Sequence, residues 1–405
     1  MPLRQPRDEA CDDAAAVRGG ELRRKRKREE DSGAFARVFV WGHGRHGATV
    51  EPASAPCTCG CPGPRPPAPL TFTDVSRGKA LITGGAGFIG SHLAEVLLDD
   101  GYEVYALDNL STGSRANVEQ LEERPEFHLV VDSVLKPAVV NELVLKCDLV
   151  FHLAAAVGVK LIVEEPVSTL VTNIQGTEVV LDYCNAFHKR VLVASTSEVY
   201  GDHREEIPFD ESSRRIYGPT TARRWAYAES KAIDEFLALA YHQERGLDTV
   251  ITRLFNTVGP RQSGQYGMVI PTFVQNALAG RPIEVHGDGG QTRCFCHVAD
   301  TVRALKGLME SGSSGEIFNI GNSHQISIME LAERIRTLTS SSSEIVTVPY
   351  DKVYGQGIED MLHRIPAIDK IGAAIGWAPE YDLEKILSDV IEYVRNQPVA
   401  LAEPV

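Results

Sequence analysis

The sequence has no long uninterrupted hydrophobic run. None of its stretches reaches 18 apolar residues, and no N-terminal segment has the apolar core of a secretion signal. Basic residues are fewer than acidic ones, 41 against 55, which gives the chain a formal net charge of −14. We therefore expect no membrane span, and the acidic balance argues against nucleic acid as the main partner.

Cysteine is also sparse, with eight residues in 405 and no regular spacing after residue 76. Scattered cysteines are typical of a reducing compartment rather than of a disulfide framework, so we expect a cytoplasmic protein. Three further cysteines within residues 57–61 follow a C-x-C-x-C pattern, which differs from the C-x₂-C spacing of common zinc sites. We predict no metal centre.

Residues 1–76 lack the apolar periodicity of a fold and are rich in Arg, Pro, Gly and Ala. The proline-rich run Gly60–Pro69 and the basic run Arg23–Arg28 are typical of a solvated, disordered or low-complexity extension. The basic run also fits a nucleic-acid patch or a targeting signal. With 43% hydrophobic residues overall, the rest of the chain is large enough for one or two domains.

The stretch Lys79–Asn109 has the pattern of a strand, a glycine-rich turn, an amphipathic helix and a second strand. Gly84 permits the tight turn, Gly87 lets backbone N–H groups approach a pyrophosphate, and Gly90 lets helix and strand pack closely. Asp108 ends the second strand, where an acidic residue holds a ribose hydroxyl. This combination predicts a dinucleotide site with the pyrophosphate at the helix N-terminus.

Further strands end in residues suited to the same site. The strand Phe127–Val131 leads to Asp132, placed for an adenine contact, and the strand at 148–153 leads into Ala154 and Ala155. Small side chains there let the backbone approach a cofactor, although they equally suit a close helix–sheet contact. The alternation of strands and helices through Leu254 predicts an α/β fold with a doubly wound parallel sheet.

Tyr227 and Lys231 lie four residues apart in a predicted helix, so their side chains share one face. A lysine ammonium near a tyrosine hydroxyl stabilises the phenolate, so we expect the pKa of Tyr227 to be lowered. A tyrosine with a lowered pKa is able to act as a general base. The pair follows a strand that ends in the hydroxyl-rich segment Ser195–Gly201, which favours a catalytic site.

These motifs together resemble the extended short-chain dehydrogenase/reductase family, which comprises nucleotide-sugar epimerases, dehydratases and decarboxylases. The resemblance runs from about residue 78 to residue 396 and rests on TGGAGFIG (Thr83–Gly90), DNLSTG (Asp108–Gly113), STSEVYG (Ser195–Gly201), YAESK (Tyr227–Lys231) and RLFNTVGPRQ (Arg253–Gln262). It implies a Rossmann-like NAD-binding part, mainly residues 77–260. It also implies a smaller C-terminal α/β part that binds the nucleotide sugar, mainly residues 261–398 and interleaved with the first.

The resemblance also implies roles for individual residues. Tyr227 is the base, Lys231 holds the nicotinamide ribose and the tyrosine, and Thr196 supports the sugar 4-hydroxyl. Asp108 favours NAD over NADP because a 2′-phosphate would be repelled. The implied cofactor contacts are Gly84, Gly87, Phe88, Ile89, Gly90, Asp108, Asn109, Asp132, Ala154, Ala155 and Lys231.

On the substrate side, the resemblance assigns Asn256 to the diphosphate and Arg293 to a phosphate or a sugar acid. Arg261 is a further candidate for substrate contact, and a surface ion pair explains it equally well. Dimerisation through two helices per subunit, one carrying Tyr227, is usual in the family. We therefore expect a homodimer with a nucleotide-sugar substrate that is UDP-linked.

The triplet Thr196-Ser197-Glu198 indicates the reaction. Related 4,6-dehydratases have an aspartate where Ser197 stands, and epimerases have a small residue where Glu198 stands, whereas Ser-Glu resembles the UDP-glucuronate decarboxylases. The resemblance thus implies oxidation at C4 followed by decarboxylation of UDP-glucuronate to UDP-xylose or its 4-keto form. The segments at 152–166 and 268–278 depart from many decarboxylases, so a UDP-sugar 4-epimerase and a 4,6-dehydratase remain alternatives. A non-catalytic NAD-binding regulator is the alternative of another class.

Overall fold

A seven-stranded parallel sheet forms the centre of the computed structural model, which describes residues 77–158, 165–203, 205–264, 267–349, 352 and 361–397. Every pairing within this sheet is parallel. The strands, in their order across the sheet, are β11 (Glu316–Ile320), β6 (Thr249–Leu254), β5 (Arg190–Thr196), β4 (Leu149–His152), β1 (Lys79–Thr83), β2 (Glu103–Asp108) and β3 (Phe127–Val131). The order reverses between β1 and β4, which confirms the doubly wound sheet and marks the usual ligand crevice. The extension predicted at residues 1–76 lies outside the described residues.

Helices cover both faces of this sheet, which is why its strands are almost continuously apolar. On one face α1 (Phe88–Asp99) packs with α6 (Val298–Glu310), and residues such as Leu93 and Leu305 are fully buried there. On the other face lie α2 (Pro137–Lys146), α3 (Pro166–Ala186) and α4 (Trp225–Arg245). The carboxyl ends of the strands therefore lie between the helices that cover the two faces.

The C-terminal region adds a smaller α/β layer with its own apolar core. Its helix α7 (Ile328–Leu338) begins with a capping box, in which Ser327 and Glu330 satisfy each other's backbone N–H groups. The remaining elements are α5 (Val269–Leu278), α7 (Ile328–Leu338), α8 (Asp369–Ile375), α9 (Leu383–Asn396), β7 (Thr257–Val258), β8 (Ile283–His286), β9 (Thr292–Cys294), β10 (Cys296–His297), β12 (Gln325–Ser327) and β13 (Ile345–Val348). This confirms a smaller C-terminal part, and β11 shows that its sequence also completes the central sheet.

The structure can be compared with the expectations about membrane spans and cysteines. Within the described ranges no helix is long and apolar enough to cross a membrane. The cysteines in those ranges, Cys147, Cys184, Cys294 and Cys296, are all buried free thiols, in agreement with the absence of a disulfide pattern. The described residues belong to one compact unit, so the functional boundary at residue 260 stays a prediction.

Candidate active site

The glycine turn after β1 lies against two neighbouring strand ends. Gly84 has a φ of +73°, and a Cβ there would come within 3.0 Å of the Ala154 backbone N. A Cβ on Gly90 would run into the Gly84 carbonyl, so helix and turn approach more closely than a side chain allows. Helix α1 begins at Phe88, and Gly87 offers no side-chain cap for its first N–H groups. This geometry fits a pyrophosphate.

Asp108 is held directly beside that turn. Its carboxylate is 7% exposed and accepts hydrogen bonds from the backbone N–H groups of Ala86, at 3.0 Å, and Leu110, at 2.8 Å. Burial raises the pKa of Asp108, and these N–H groups oppose that shift. A Cβ on Gly113 would lie 2.9 Å from both carboxylate oxygens, so the loop after β2 folds over Asp108. An acidic group at this edge fits a ribose.

The other predicted cofactor residues surround the same edge with different local roles. Ala154 donates its N–H to the Thr83 hydroxyl at 3.2 Å, which places residues 154–156 along the glycine turn. Asn109 is exposed, and its side-chain oxygen accepts from Ser111. Asp132 forms a 2.8 Å ion pair with Lys136, which lowers the pKa of Asp132. If Asp132 contacts an adenine, as the sequence predicts, the adenine and Lys136 compete for the same carboxylate.

The Thr196-Ser197-Glu198 triplet forms the end of β5 and a short 3₁₀ turn, Ser197–Tyr200. Thr196 caps this turn, because its hydroxyl accepts from the Glu198 N–H at 3.3 Å. The Ser197 Oγ is buried and has no hydrogen-bond partner among the described residues. An orphaned hydroxyl in a cleft is available to a ligand.

Tyr227 and Lys231 both lie on the buried face of α4, as the four-residue spacing predicts. The pKa expectation is wrong for the chain without a ligand: burial raises the pKa of Tyr227, and the Glu198 and Asp234 carboxylates raise it further. The Lys231 ammonium is itself paired with Asp234, to which it donates at 2.9 Å. The influence of Glu198 on Tyr227 brings the triplet and the tyrosine into one site.

A buried ion pair fixes α4 against the strands that carry the triplet. The Arg253 guanidinium donates to both carboxylate oxygens of Glu235, at 2.9 and 2.7 Å. The same carboxylate accepts from the Ser195 hydroxyl at 2.5 Å. Since Ser195 precedes the triplet and Glu235 follows Lys231 by one helical turn, this contact sets the position of the helix relative to the triplet.

The three predicted substrate residues, Asn256, Arg293 and Arg261, do not all lie in one group of side chains. Asn256 has a φ of +33°, a strained conformation for a non-glycine residue, and donates to the Cys294 carbonyl at 2.8 Å. Arg293 is 7% exposed and donates to the carbonyls of Thr292 and Leu362. Arg261 instead pairs with Glu95 of α1 at 2.7 Å, so the ion-pair interpretation of Arg261 is the one that the structure shows.

Arg364 is the residue that sequence reasoning missed. Its guanidinium lies 3.7 Å from the Glu198 carboxylate, and the two side chains are only 12% and 21% exposed. Burial raises the pKa of the Cys294 thiol to about 12, and both Arg364 and Arg293 oppose that shift, which places two guanidiniums near one thiol. Arg364 stands outside every recognised motif, so only its position in the fold identifies it.

Comparison with known proteins identifies the family. The sequence model of the GDP-mannose 4,6 dehydratase family matches residues 81–390, which is most of the chain. The chain belongs to this family of extended short-chain dehydrogenase/reductase enzymes of nucleotide sugars. The family assignment and the Rossmann-like fold inferred from the motifs are thereby confirmed.

Curated relatives of the chain carry decarboxylase names. It is 42% identical over 319 residues to a UDP-N-acetyl-alpha-D-glucosaminuronate decarboxylase from Bacillus cytotoxicus, which covers 78% of this chain and 98% of the relative. It is 36% identical over 325 residues to UDP-glucuronic acid decarboxylase 1 from Danio rerio, with 80% and 74% of the two chains covered.

Solved structures resemble the described fold at similar coverage. One is the UDP-glucose 4-epimerase of Thermotoga maritima, with UDP-glucose, at 30% identity and a TM-score of 0.71, covering 78% of this chain and 98% of that chain. Another is DesIV, the dTDP-glucose 4,6-dehydratase from Streptomyces venezuelae, with NAD and TYD bound, also at 30% identity and 0.71, covering 78% and 97%. The fold thus accommodates epimerases and dehydratases as well as decarboxylases, and the site must distinguish them.

Proposed function

We propose that this chain is an NAD-dependent decarboxylase of a UDP-linked uronate, which it oxidises at C4 before CO₂ is lost. The observation that carries the proposal is the placement of Glu198 beside both Tyr227 and Arg364. A decarboxylase needs a cation for the C6 carboxylate next to the C4 base, whereas a 4-epimerase of a neutral hexose such as UDP-glucose needs none; a 4-epimerase of UDP-glucuronate is the alternative that the product test distinguishes. The decarboxylase names of the two curated relatives support the same reaction.

The cofactor of this proposal is NAD, because the turn, the uncapped start of α1 and Asp108 fit its pyrophosphate and ribose. The NAD bound in the DesIV structure supports this choice. When bound, the nicotinamide supplies the hydride acceptor that oxidation at C4 requires. Gly87, Phe88, Ile89 and Gly90 would hold the pyrophosphate, and Lys231 would hold the nicotinamide ribose.

The first proton transfer belongs to Tyr227. The Tyr227 phenolate takes the proton of the C4 hydroxyl as that carbon is oxidised and becomes the neutral phenol, while the Thr196 hydroxyl orients the substrate oxygen. Burial and two carboxylates raise the pKa of Tyr227 in the chain alone. The positive charge of a bound nicotinamide and the Lys231 ammonium oppose this shift, which brings the phenolate within reach when the cofactor is in place.

Decarboxylation follows from the 4-keto group. A keto group at C4 makes the C6 carboxylate a β-keto acid, so the electrons of the breaking C5–C6 bond move into an enolate that the C4 oxygen carries. Arg364 and the orphaned Ser197 hydroxyl would hold the leaving carboxylate. The Glu198 carboxylate faces it with a like charge, which favours loss of neutral CO₂, and afterwards relays a proton from water to C5. Return of the hydride to C4 would give the pentose, and its absence would give the 4-keto product.

The identity of the uronate is open between the two that the relatives' names provide, UDP-glucuronate and UDP-N-acetylglucosaminuronate. The test is incubation with NAD⁺ and each uronate, with product mass determined by mass spectrometry. UDP-glucose and UDP-N-acetylglucosamine serve as matched controls, because they lack only the C6 carboxylate. We expect loss of the mass of CO₂ from at least one uronate and no change in the controls. An altered stereocentre at unchanged mass would contradict the proposal.

We further propose a cytoplasmic homodimer that forms through α3 and α4. Ile233, Phe236 and Val167 are large apolar side chains exposed at 40%, 64% and 74% on these two helices, which supports an apolar interface there. Unpaired cysteines support the reducing compartment. Sedimentation of the wild type and of Phe236→Glu tests the interface: we expect a dimer that becomes a monomer. A dimer that persists in the variant would exclude this face.

A further inference from the structure

Asp234 is fully buried beside the lysine of the predicted catalytic pair. The Lys231 ammonium donates to its carboxylate at 2.9 Å, and the two side chains are 3% and 0% exposed. The other carboxylate oxygen has no hydrogen-bond partner within the described part of the chain, so Lys231 is its main counterpart. Loss of one member of such a pair leaves an uncompensated charge in the interior.

The pair adjoins a row of buried polar side chains that crosses the sheet. Burial raises the pKa of Asp234, and Lys231 and the Thr177 hydroxyl oppose that shift. His152 bonds to the Thr177 hydroxyl at 3.0 Å and to the Thr83 hydroxyl at 2.8 Å. Thr83 in turn accepts from the N–H of Ala154. The row therefore runs from α4 through α3 and β4 to the end of β1, where the two cofactor loops begin.

Only two members of this row carry charge. Burial and the nearby Lys231 ammonium lower the pKa of His152 to about 3, so the imidazole is neutral at any working pH. The negative charge of Asp234 thus balances Lys231 and acts on Tyr227 from the same helix. Since Lys231 is proposed to hold the nicotinamide ribose, this charge pair would lie near the positively charged ring of a bound cofactor.

We propose that Asp234 is a positioning residue for Lys231, which fixes the ammonium beside Tyr227 and provides the negative charge that favours the oxidised cofactor. The proposal rests on the proposed function, since it takes Tyr227 and Lys231 as the catalytic pair. Asp234 acts through Lys231 and touches neither substrate nor cofactor. Thr177 and His152 tie this charge pair to the loops at Gly84 and Ala154.

The test is the ratio of the NAD⁺ and NADH dissociation constants in Asp234→Asn, measured by calorimetry on the full chain. Asparagine keeps the shape but leaves a net positive charge near the nicotinamide. We expect the NAD⁺ constant to rise about fivefold to tenfold, and the NADH constant to rise no more than about twofold. The matched control is Glu229→Gln, which removes a carboxylate of the same helix that pairs with Arg215, and we expect its constants to be unchanged.

A second readout is the pH dependence of kcat/KM. Its acid limb reports the deprotonation of the proposed base, Tyr227. The charged or titratable groups around Tyr227 and Asp234 are Lys231, Glu198, Arg364, His152 and Glu235. Because Asp234→Asn removes a negative charge, we expect the limb to shift to lower pH by about one unit. A purely structural role would lower the melting temperature but leave both the limb and the ratio of the two dissociation constants unchanged, and that result would overturn the proposal.

Failure of the proposed function is distinguishable from failure of this inference. If the wild type converts neither uronate, the proposed function fails, while the cofactor constants still test Asp234. If Asp234→Asn does not fold, Thr177→Val removes the neighbouring hydroxyl and keeps the ion pair. We then expect about a twofold rise in the NAD⁺ constant, and no change in that variant would contradict the role of the row.

Discussion

The guanidinium of Arg364 lies 3.7 Å from the carboxylate of Glu198, at the carboxyl end of β5. The two residues are far apart in sequence, and the segment after Arg364 is held by backbone bonds between Phe209 and both Ile365 and Ala367. Glu198 in turn acts electrostatically on Tyr227, so the proposed carboxylate-binding cation, the opposing anion and the proposed base belong to one group of side chains. The proposed decarboxylation rests on this relationship.

The first prediction concerns Glu198. Glu198→Gln keeps the size of the side chain and removes the charge that favours CO₂ loss and the carboxylate that relays a proton from water to C5. We expect kcat for CO₂ release to fall about 10² to 10⁴-fold, with NAD binding unchanged. Stopped-flow measurement of CO₂ release checks this. A variant that releases CO₂ at the wild-type rate would show that Glu198 only caps a loop.

Arg364→Met gives a different expected result. Methionine fills similar space without the guanidinium, so we expect the KM for the uronate to rise at least tenfold. A neutral UDP-sugar lacks the carboxylate, so its binding to the same variant is the control and should change little. Equal losses for the charged and neutral sugars would place Arg364 outside the carboxylate site.

Tyr227→Phe removes one oxygen from the site and tests the general base. We expect turnover to be abolished, because the proton of the C4 hydroxyl has no acceptor, while NAD remains bound at wild-type affinity. Turnover is measured as product formed from the uronate, and NAD as the cofactor retained after gel filtration. Unchanged turnover would contradict the catalytic assignment of Tyr227.

A fourth prediction concerns stability. Glu235→Gln removes the charge that compensates Arg253 and loosens the contact with Ser195, so we expect a loss of about 3–5 kcal/mol in the free energy of unfolding. Urea denaturation measures this loss. Glu142→Gln, which breaks an exposed pair with Lys146, is the control and should change the midpoint little. Similar effects of the two variants would mean that the buried pair is not structurally important.

The pH dependence of stability provides the fifth prediction. His152 has a pKa of about 3 in the fold because it is buried, with Lys231 nearby, against 6.5 as the ordinary value. The unfolded chain therefore binds a proton that the folded chain excludes as pH falls from about 6.5 to about 3. The free energy of unfolding therefore falls by about 1.4 kcal/mol for each pH unit between about 6.5 and about 3. Above pH 6.5 this contribution is absent.

Comparison of the wild type with His152→Gln isolates this contribution. We expect the variant to lose less stability than the wild type between pH 6.5 and 4, measured by urea unfolding at each pH. The exposed His188, changed to Gln, is the control and should retain the wild-type dependence. Parallel curves for wild type and His152→Gln would contradict burial of a neutral imidazole.

The central sheet and the glycine turn were predictable because their signals are local. Apolar runs of strand length and glycines at fixed offsets in Lys79–Asn109 determine the strand, turn and helix that the structure shows. Helix α3 begins at Pro166, and a proline at the first helical position is a recognised start signal in sequence.

The electrostatics of the site were less predictable, because they depend on contacts between distant segments. Arg364 enters through backbone bonds to Phe209, for which the sequence contains no local signal. Asp234 follows Lys231 by three residues, a spacing that suits an ordinary surface pair, and only its complete burial shows its importance. Arg261, inside a family motif, pairs with Glu95 because the chain passes α1 there.

The central claim, decarboxylation after oxidation at C4, is tested most directly with uronates labelled with ¹³C at C6 and followed by NMR. UDP-glucuronate and UDP-N-acetylglucosaminuronate are each incubated with the wild type and NAD⁺, and Tyr227→Phe is the control. The account predicts that the label of at least one uronate leaves the sugar as CO₂ and bicarbonate with the wild type and stays in place with the variant. A label that remains in a sugar of altered C4 configuration would contradict the account and identify an epimerase.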